Sequence, residues 1–147
     1  MKQTTFIALL FAIVFCGCVP SPDSPVASET PSQPMQSDYL PSPADGSLTR
    51  GEAYLESAEL LTLESFPPQF TLVLKGNLPT PCHRLRIAVA APDASNKIVV
   101  DVYSVSNPGE ICVQVLEAFE VNFSLGSYPT GSYSLWVNGK TLAKFDS

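Results

Sequence analysis

Basic side chains are scarce in this sequence. Eight Lys and Arg stand against fourteen Asp and Glu in 147 residues, for a formal net charge of -6. They are spread along the chain without a cluster, so the basic face that a nucleic-acid partner needs is missing. An anionic membrane surface would likewise gain little from this charge. Histidine is nearly absent, His83 being the only one. A structural zinc site wants four ligands, and one His with two spaced cysteines does not offer them. No Gly-rich phosphate cradle or paired-acid cleft is apparent. No cofactor, metal or nucleic acid is therefore expected. Charged residues make up only 15% of the chain and hydrophobic residues 45%. A core is well supplied, while the surface must rely on Ser, Thr, Asn and Gln.

Long apolar runs are also missing, with one exception at the start. Phe6–Phe15 is continuously apolar and follows Lys2. At about ten residues it suits a signal h-region and falls short of the ~20 that span a bilayer. Extending it through Val19 would make a membrane anchor, but Pro20 and Pro22 stop that extension. Residues 1–17 are read as a secretory signal.

The end of that run, Phe15-Cys16-Gly17-Cys18, resembles a bacterial lipobox. The resemblance implies thioether attachment of diacylglycerol to Cys18, which Gly17 precedes, and cleavage just before it. Phe15 and Cys16 depart from the usual Leu and Ala or Ser. Val19 stands where Asp commonly implies inner-membrane retention, so display at the outer membrane or cell surface is the implied fate. The rival reading is ordinary secretion without lipid.

Prolines are unevenly placed: seven of the fourteen lie between Val19 and Leu48. This stretch is rich in Ser, carries Asp23, Glu29, Asp38 and Asp45, and has no Lys or Arg. It offers too little apolar surface to offset its ordering entropy. Residues 18–47 are read as a disordered tether, extended at ~3 Å per residue where its prolines impose polyproline II geometry. Pro22–Pro25 and Pro31–Pro34 have PxxP spacing, which any Pro-rich linker shares.

From residue 48 onward the pattern has period two, the mark of half-buried strands. Phe70/Leu72/Leu74, Leu85/Ile87/Val89, Ile98/Val100/Val102, Phe119/Val121/Phe123/Leu125 and Tyr133/Leu135/Val137 should each face one core. Proline and Asn/Gly clusters separate these runs. Asn138-Gly139 is the sharpest of them and predicts a two-residue type I′ hairpin. Residues 53–64 mix helix formers without a usable apolar stripe, and a first strand is expected near Ser57 to Leu63. About seven strands over residues 48–147 predict an all-β, immunoglobulin-like antiparallel β-sandwich. The ending GSYSLWVNGK resembles the last hairpin of Ig-like modules in bacterial surface lipoproteins. That resemblance implies architecture and is silent on activity.

Four cysteines allow three pairings. The lipobox resemblance discards Cys16 and acylates Cys18. Cys82 and Cys112 are left to bond each other, in a compartment where disulfides persist. Catalysis is not expected. His83 adjoins Cys82, and neighbouring strand residues point to opposite faces, so no thiolate–imidazole pair can form. Asp93-Ala94-Ser95-Asn96 lacks the acidic spacing of a calcium loop. Arg84, Arg86 and Asp101 are expected to point outward as screened surface pairs. By alternation Trp136 lies on the outer side with Ser132 and Ser134, as a partner or glycan contact; the alternative is that it folds over a sheet edge or completes the core. Tyr103 and Tyr128 are candidates to share its patch. The expectation is a monomeric, non-enzymatic module, lipid-anchored outside the cytoplasm and binding an envelope protein or polysaccharide. The alternative is an inhibitor or accessory factor docking on a hydrolase.

Overall fold

The computed structural model describes residues 36–147. The expected signal segment, the lipid acceptor Cys18 and the first part of the tether lie outside the described residues. Two 3-10 turns, Gln36–Tyr39 and Pro43–Ser47, precede eight strands. These are β1 (Thr49–Glu52), β2 (Tyr54–Leu63), β3 (Gln69–Leu78), β4 (Arg84–Val89), β5 (Lys97–Ser106), β6 (Glu117–Gly126), β7 (Ser132–Val137) and β8 (Lys140–Asp146). The Phe66–Pro67 peptide between β2 and β3 is cis.

The strands form a β-sandwich of two sheets. One sheet has the order β2-β3-β6, wholly antiparallel. The other has β4 on one edge of β5. Along the opposite edge of β5, β7 pairs with Lys97–Val100 and β1 with Tyr103–Ser106. β8 completes that sheet beyond β7. The inward faces follow from the alternation. Phe70, Leu72, Leu74, Ile87, Ile98, Val100 and Leu135 are fully enclosed, with Leu85, Val102, Val121, Phe123, Tyr133 and Val137 nearly so. Phe119 and Leu125 are half-buried against this core, and Val89 is over a third exposed at the end of β4.

Three features differ from the sequence reading. First, β1 is an extra strand and β2 starts at Tyr54. Second, the five-stranded sheet is mixed, because β5 and β7 run parallel. The chain leaves β5, crosses to the other sheet as β6 and returns in the original direction, which no local pattern encodes. Third, residues 36–47, expected as the end of the tether, pack on the sandwich. Arg86 is the reason. Its side chain, expected at the screened surface, is only 8% exposed and paired with Asp45. Its Nε donates to Asp45 Oδ2 at 2.7 Å and its Nη2 to Oδ1 at 2.9 Å. Nη1 donates to the carbonyls of Asp38 and Leu85, both at 3.0 Å. A guanidinium covered by the chain needs such partners, and the two 3-10 turns supply them.

The turns are locally specified. Ser42 accepts from Ala44 N–H and Asp45 accepts from Ser42 N–H, a reciprocal capping box ahead of Pro43–Ser47. Hydrogen bonds from Arg86, and next from the Ser42 amide, lower the Asp45 pKa to about 2. At the other end of the segment, the Gln36 carboxamide donates to Ser124 O at 3.0 Å and accepts from Ser124 N at 3.1 Å. Gln36 thus imitates a strand residue on the free edge of β6.

Candidate functional site

The β5–β6 connection, residues 107–116, carries four of the exposed large apolar side chains of the described residues. Asn107-Pro108-Gly109 stops β5: Glu110 N–H bonds to Asn107 O, and Gly109 takes φ 78, a left-handed conformation glycine adopts without strain. Cys112 is then bonded to Cys82 in the β3–β4 connection, with Cα atoms 6.1 Å apart. That connection is itself firm. Thr80 is buried, its hydroxyl lies 2.8 Å from His83 Nδ1, and His83 N–H bonds to Thr80 O. The disulfide therefore ties the loop to a rigid corner. Around this tie Ile111 is 99% exposed, Val113 66%, Leu116 61% and Val115 55%. Single exposed aliphatics are ordinary, but four within six residues form a patch. Burying each against a partner would contribute roughly 1.5–3 kcal/mol before association costs.

The sequence reading paired Cys112 with Cys82 but did not single out the aliphatic neighbours of Cys112. Their signal was present. Ile111, Val113 and Val115 alternate like a strand, yet Pro108, Gly109 and the cysteine bond deny them a ladder.

Tyr103 and Trp136 lie on one surface, the outer face of the five-stranded sheet. Trp136 is opposite Val99 in the β5–β7 register, and Tyr103 lies four residues further along β5, about 13 Å away. Both are half-buried. The Lys97 ammonium sits 4.0 Å from the Trp136 ring centre and the Arg50 guanidinium 3.6 Å from that of Tyr103. Arg50 also bridges to Asp101 at 2.5 Å, between the two rings along β5. Each ring thus has one face covered by a cation, which reduces what a stacking ligand could reach. Tyr128 is elsewhere. It packs in an aromatic cluster with Tyr133 at 5.2 Å, Phe145 at 5.9 Å and Phe70 at 6.0 Å. Burial there raises its pKa.

The Asp93 loop is occupied by its own donors. Asp93 Oδ1 accepts from Ser95 Oγ at 2.7 Å, Ser95 N at 2.8 Å and Lys97 N at 3.0 Å. These bonds, the Ser95 hydroxyl first, lower its pKa. Among the described residues no three His, Cys, Asp or Glu side chains gather as metal ligands would.

No curated protein matches this chain, and no solved structure does. A family model, the ORF11 beta-sandwich domain, matches residues 72–146, about half of the chain. The match begins inside β3 and takes in β4 to β8, with the disulfide and the exposed loop. On this extent of match, together with a sandwich of the kind the family description states, the chain belongs to the ORF11 beta-sandwich domain family.

Proposed function

We propose that this protein is a lipid-anchored, extracytoplasmic interaction module, held to a bacterial membrane through Cys18 and docking a protein of the envelope through its Ile111–Leu116 loop. One observation carries the docking half: aliphatic side chains 55–99% exposed on a loop that is covalently tied to the sandwich. A tied loop loses little conformational entropy when a partner covers it. The Cys82–Cys112 bond supports an oxidising compartment, and so a location outside the cytoplasm.

The test uses the full chain in intact cells. A photoreactive residue at Val113 should give a discrete crosslinked protein. Ile111→Asp with Val115→Asp should abolish that product while leaving the unfolding midpoint of the purified protein in place. A product that survives the double variant would remove the loop from the interaction. If the crosslinked species is one hydrolase, the inhibitor reading replaces the structural one; if it is wall polymer, docking is to polysaccharide. Labelling with radioactive palmitate should be lost in Cys18→Ser, and label retained in that variant would remove the lipid anchor.

A further inference from the structure

Asn138 does two things at once. With Gly139 it makes the turn between β7 and β8, at φ 46 and φ 78. Its carboxamide also fills a gap in the sheet. β7 leaves the edge of β5 at Val100, and β1 takes that edge over at Tyr103. Between them Asn138 Oδ1 accepts from Val102 N at 2.7 Å and its Nδ2 donates to Val102 O at 2.9 Å. Asn138 N–H donates to Val100 O at 3.0 Å. The side chain is a peptide group in all but name, bonded to a residue 36 positions away.

Asn138 is also the one asparagine of the chain that glycine follows. With no side chain on Gly139 to obstruct it, the Gly139 nitrogen can attack Asn138 Cγ. The new C–N bond closes a five-membered imide, the Cγ–Nδ2 bond breaks, and ammonia leaves with the proton from the Gly139 amide. Water then opens either imide carbonyl, giving Asp or isoaspartate. Nothing is oxidised or reduced.

We propose that Asn138 is a latent self-modification site, held unreactive because the same carboxamide that would cyclise is bonded through both its heavy atoms to Val102. Cyclisation requires both bonds to break and the amide to swing from β5 toward its own backbone. The reaction therefore proceeds through local opening of the β5–β7 edge, a rare excursion of the folded chain. Its product cannot restore the fold. A carboxylate has no proton to give Val102 O, and isoaspartate adds a methylene to the backbone of a two-residue turn. Each opening can then be recorded irreversibly, and the record weakens the edge that opened. This inference is independent of the interaction reading.

The test compares deamidation at one temperature and slightly alkaline pH in three samples. These are the full chain with its disulfide intact, the same chain unfolded in guanidinium, and the peptide WVNGKT. Peptide mapping reads a one-dalton gain at Asn138. The folded protein should react slower than either reference by about tenfold or more, as protection through local opening implies. Equal rates in the folded protein and the peptide would overturn the proposal. The deamidated fraction, separated by ion exchange, should unfold at a lower urea midpoint than its parent. Equal midpoints would show that the Val102 bonds do not hold the edge, and would overturn it as well.

Discussion

The sandwich has two open sides, and they are finished differently. On one, the edges β4 and β6 face each other across the gap between the sheets. Residues 36–47 fill that gap, with Gln36 paired to β6, Tyr39 against the core and Asp45 locked on Arg86 of β4. On the other, β2 and β8 leave a shallow groove lined by Leu55, Ala58, Val137 and Leu142. There the protein relies on irregularity: β2 carries a bulge between Leu55 and Ser57, and β8 one opposite Leu135 and Trp136. Bulges and charged side chains blunt an edge against unwanted pairing, whereas a covering segment removes the edge. In both places a carboxamide stands in for a peptide group, Gln36 on β6 and Asn138 on β5. What differs is where the replacement comes from: a segment brought from outside the strands, or a turn within them.

The contrast can be broken most severely at Gly76, on the groove side. A Cβ there would collide with the Tyr54 carbonyl oxygen and stand 2.9 Å from the Phe119 ring. Gly76→Ala should lose roughly 3 kcal/mol, since neither β2 backbone nor ring can yield without disturbing the bulge. An unchanged urea midpoint would mean that β2 is not pressed on β3 at this point. Asn138→Asp should lose about 2 kcal/mol, because Val102 O loses its donor while the turn keeps a residue tolerant of positive φ. Asn138→Gly, which suits the turn but has no amide, should fall by a similar amount if the bonds to Val102 are what matters.

The covered side should respond to acid. The Asp45 pKa is depressed in the folded protein to about 2, from an ordinary value of 3.8. Its stabilisation is therefore complete above about pH 4 and disappears as pH falls through 2. Protection factors of the amides in Ser42–Ser47 should fall across that window, and in Asp45→Asn they should be low at every pH. A profile flat in the native protein would remove the ion pair from the account. The smallest effect is expected for Gln36→Ala, about 1 kcal/mol or less, with faster exchange of the Ser124 amide. If that amide stays protected, β6 has another cover.

Much of the fold was legible in particular residues. The alternation at Leu72/Leu74, Ile98/Val100/Val102 and Tyr133/Leu135/Val137 marked the inward face of three strands, since successive strand side chains point to opposite sides. Asn138-Gly139 marked its hairpin because few residues adopt positive φ twice in succession. The candidate surface was less legible. Tyr103 and Trp136 were assigned outward, but the cations covering them come from Arg50 on β1 and Lys97 on β5, residues distant in sequence from their rings. Residues 36–47 looked like a continuation of the Pro-rich stretch, because composition records apolar area and not one well-placed carboxylate.

By itself the sequence determined what is periodic or local: strands, their inward faces and the turn at Asn138. These follow from backbone sterics and short-range hydrogen bonds, which act over a few residues. Only the tertiary structure decided that β7 runs parallel to β5, that Arg86 is covered by Asp45, and that Asn138 completes the edge of β5. It also decided that Ile111, Val113, Val115 and Leu116 stand outside the core they are suited to fill. Each of these joins residues tens of positions apart, or denies a residue the neighbours its pattern invites. The choice rests on which long-range contacts bury the most apolar surface and leave the fewest polar groups unpaired, a property of the whole chain.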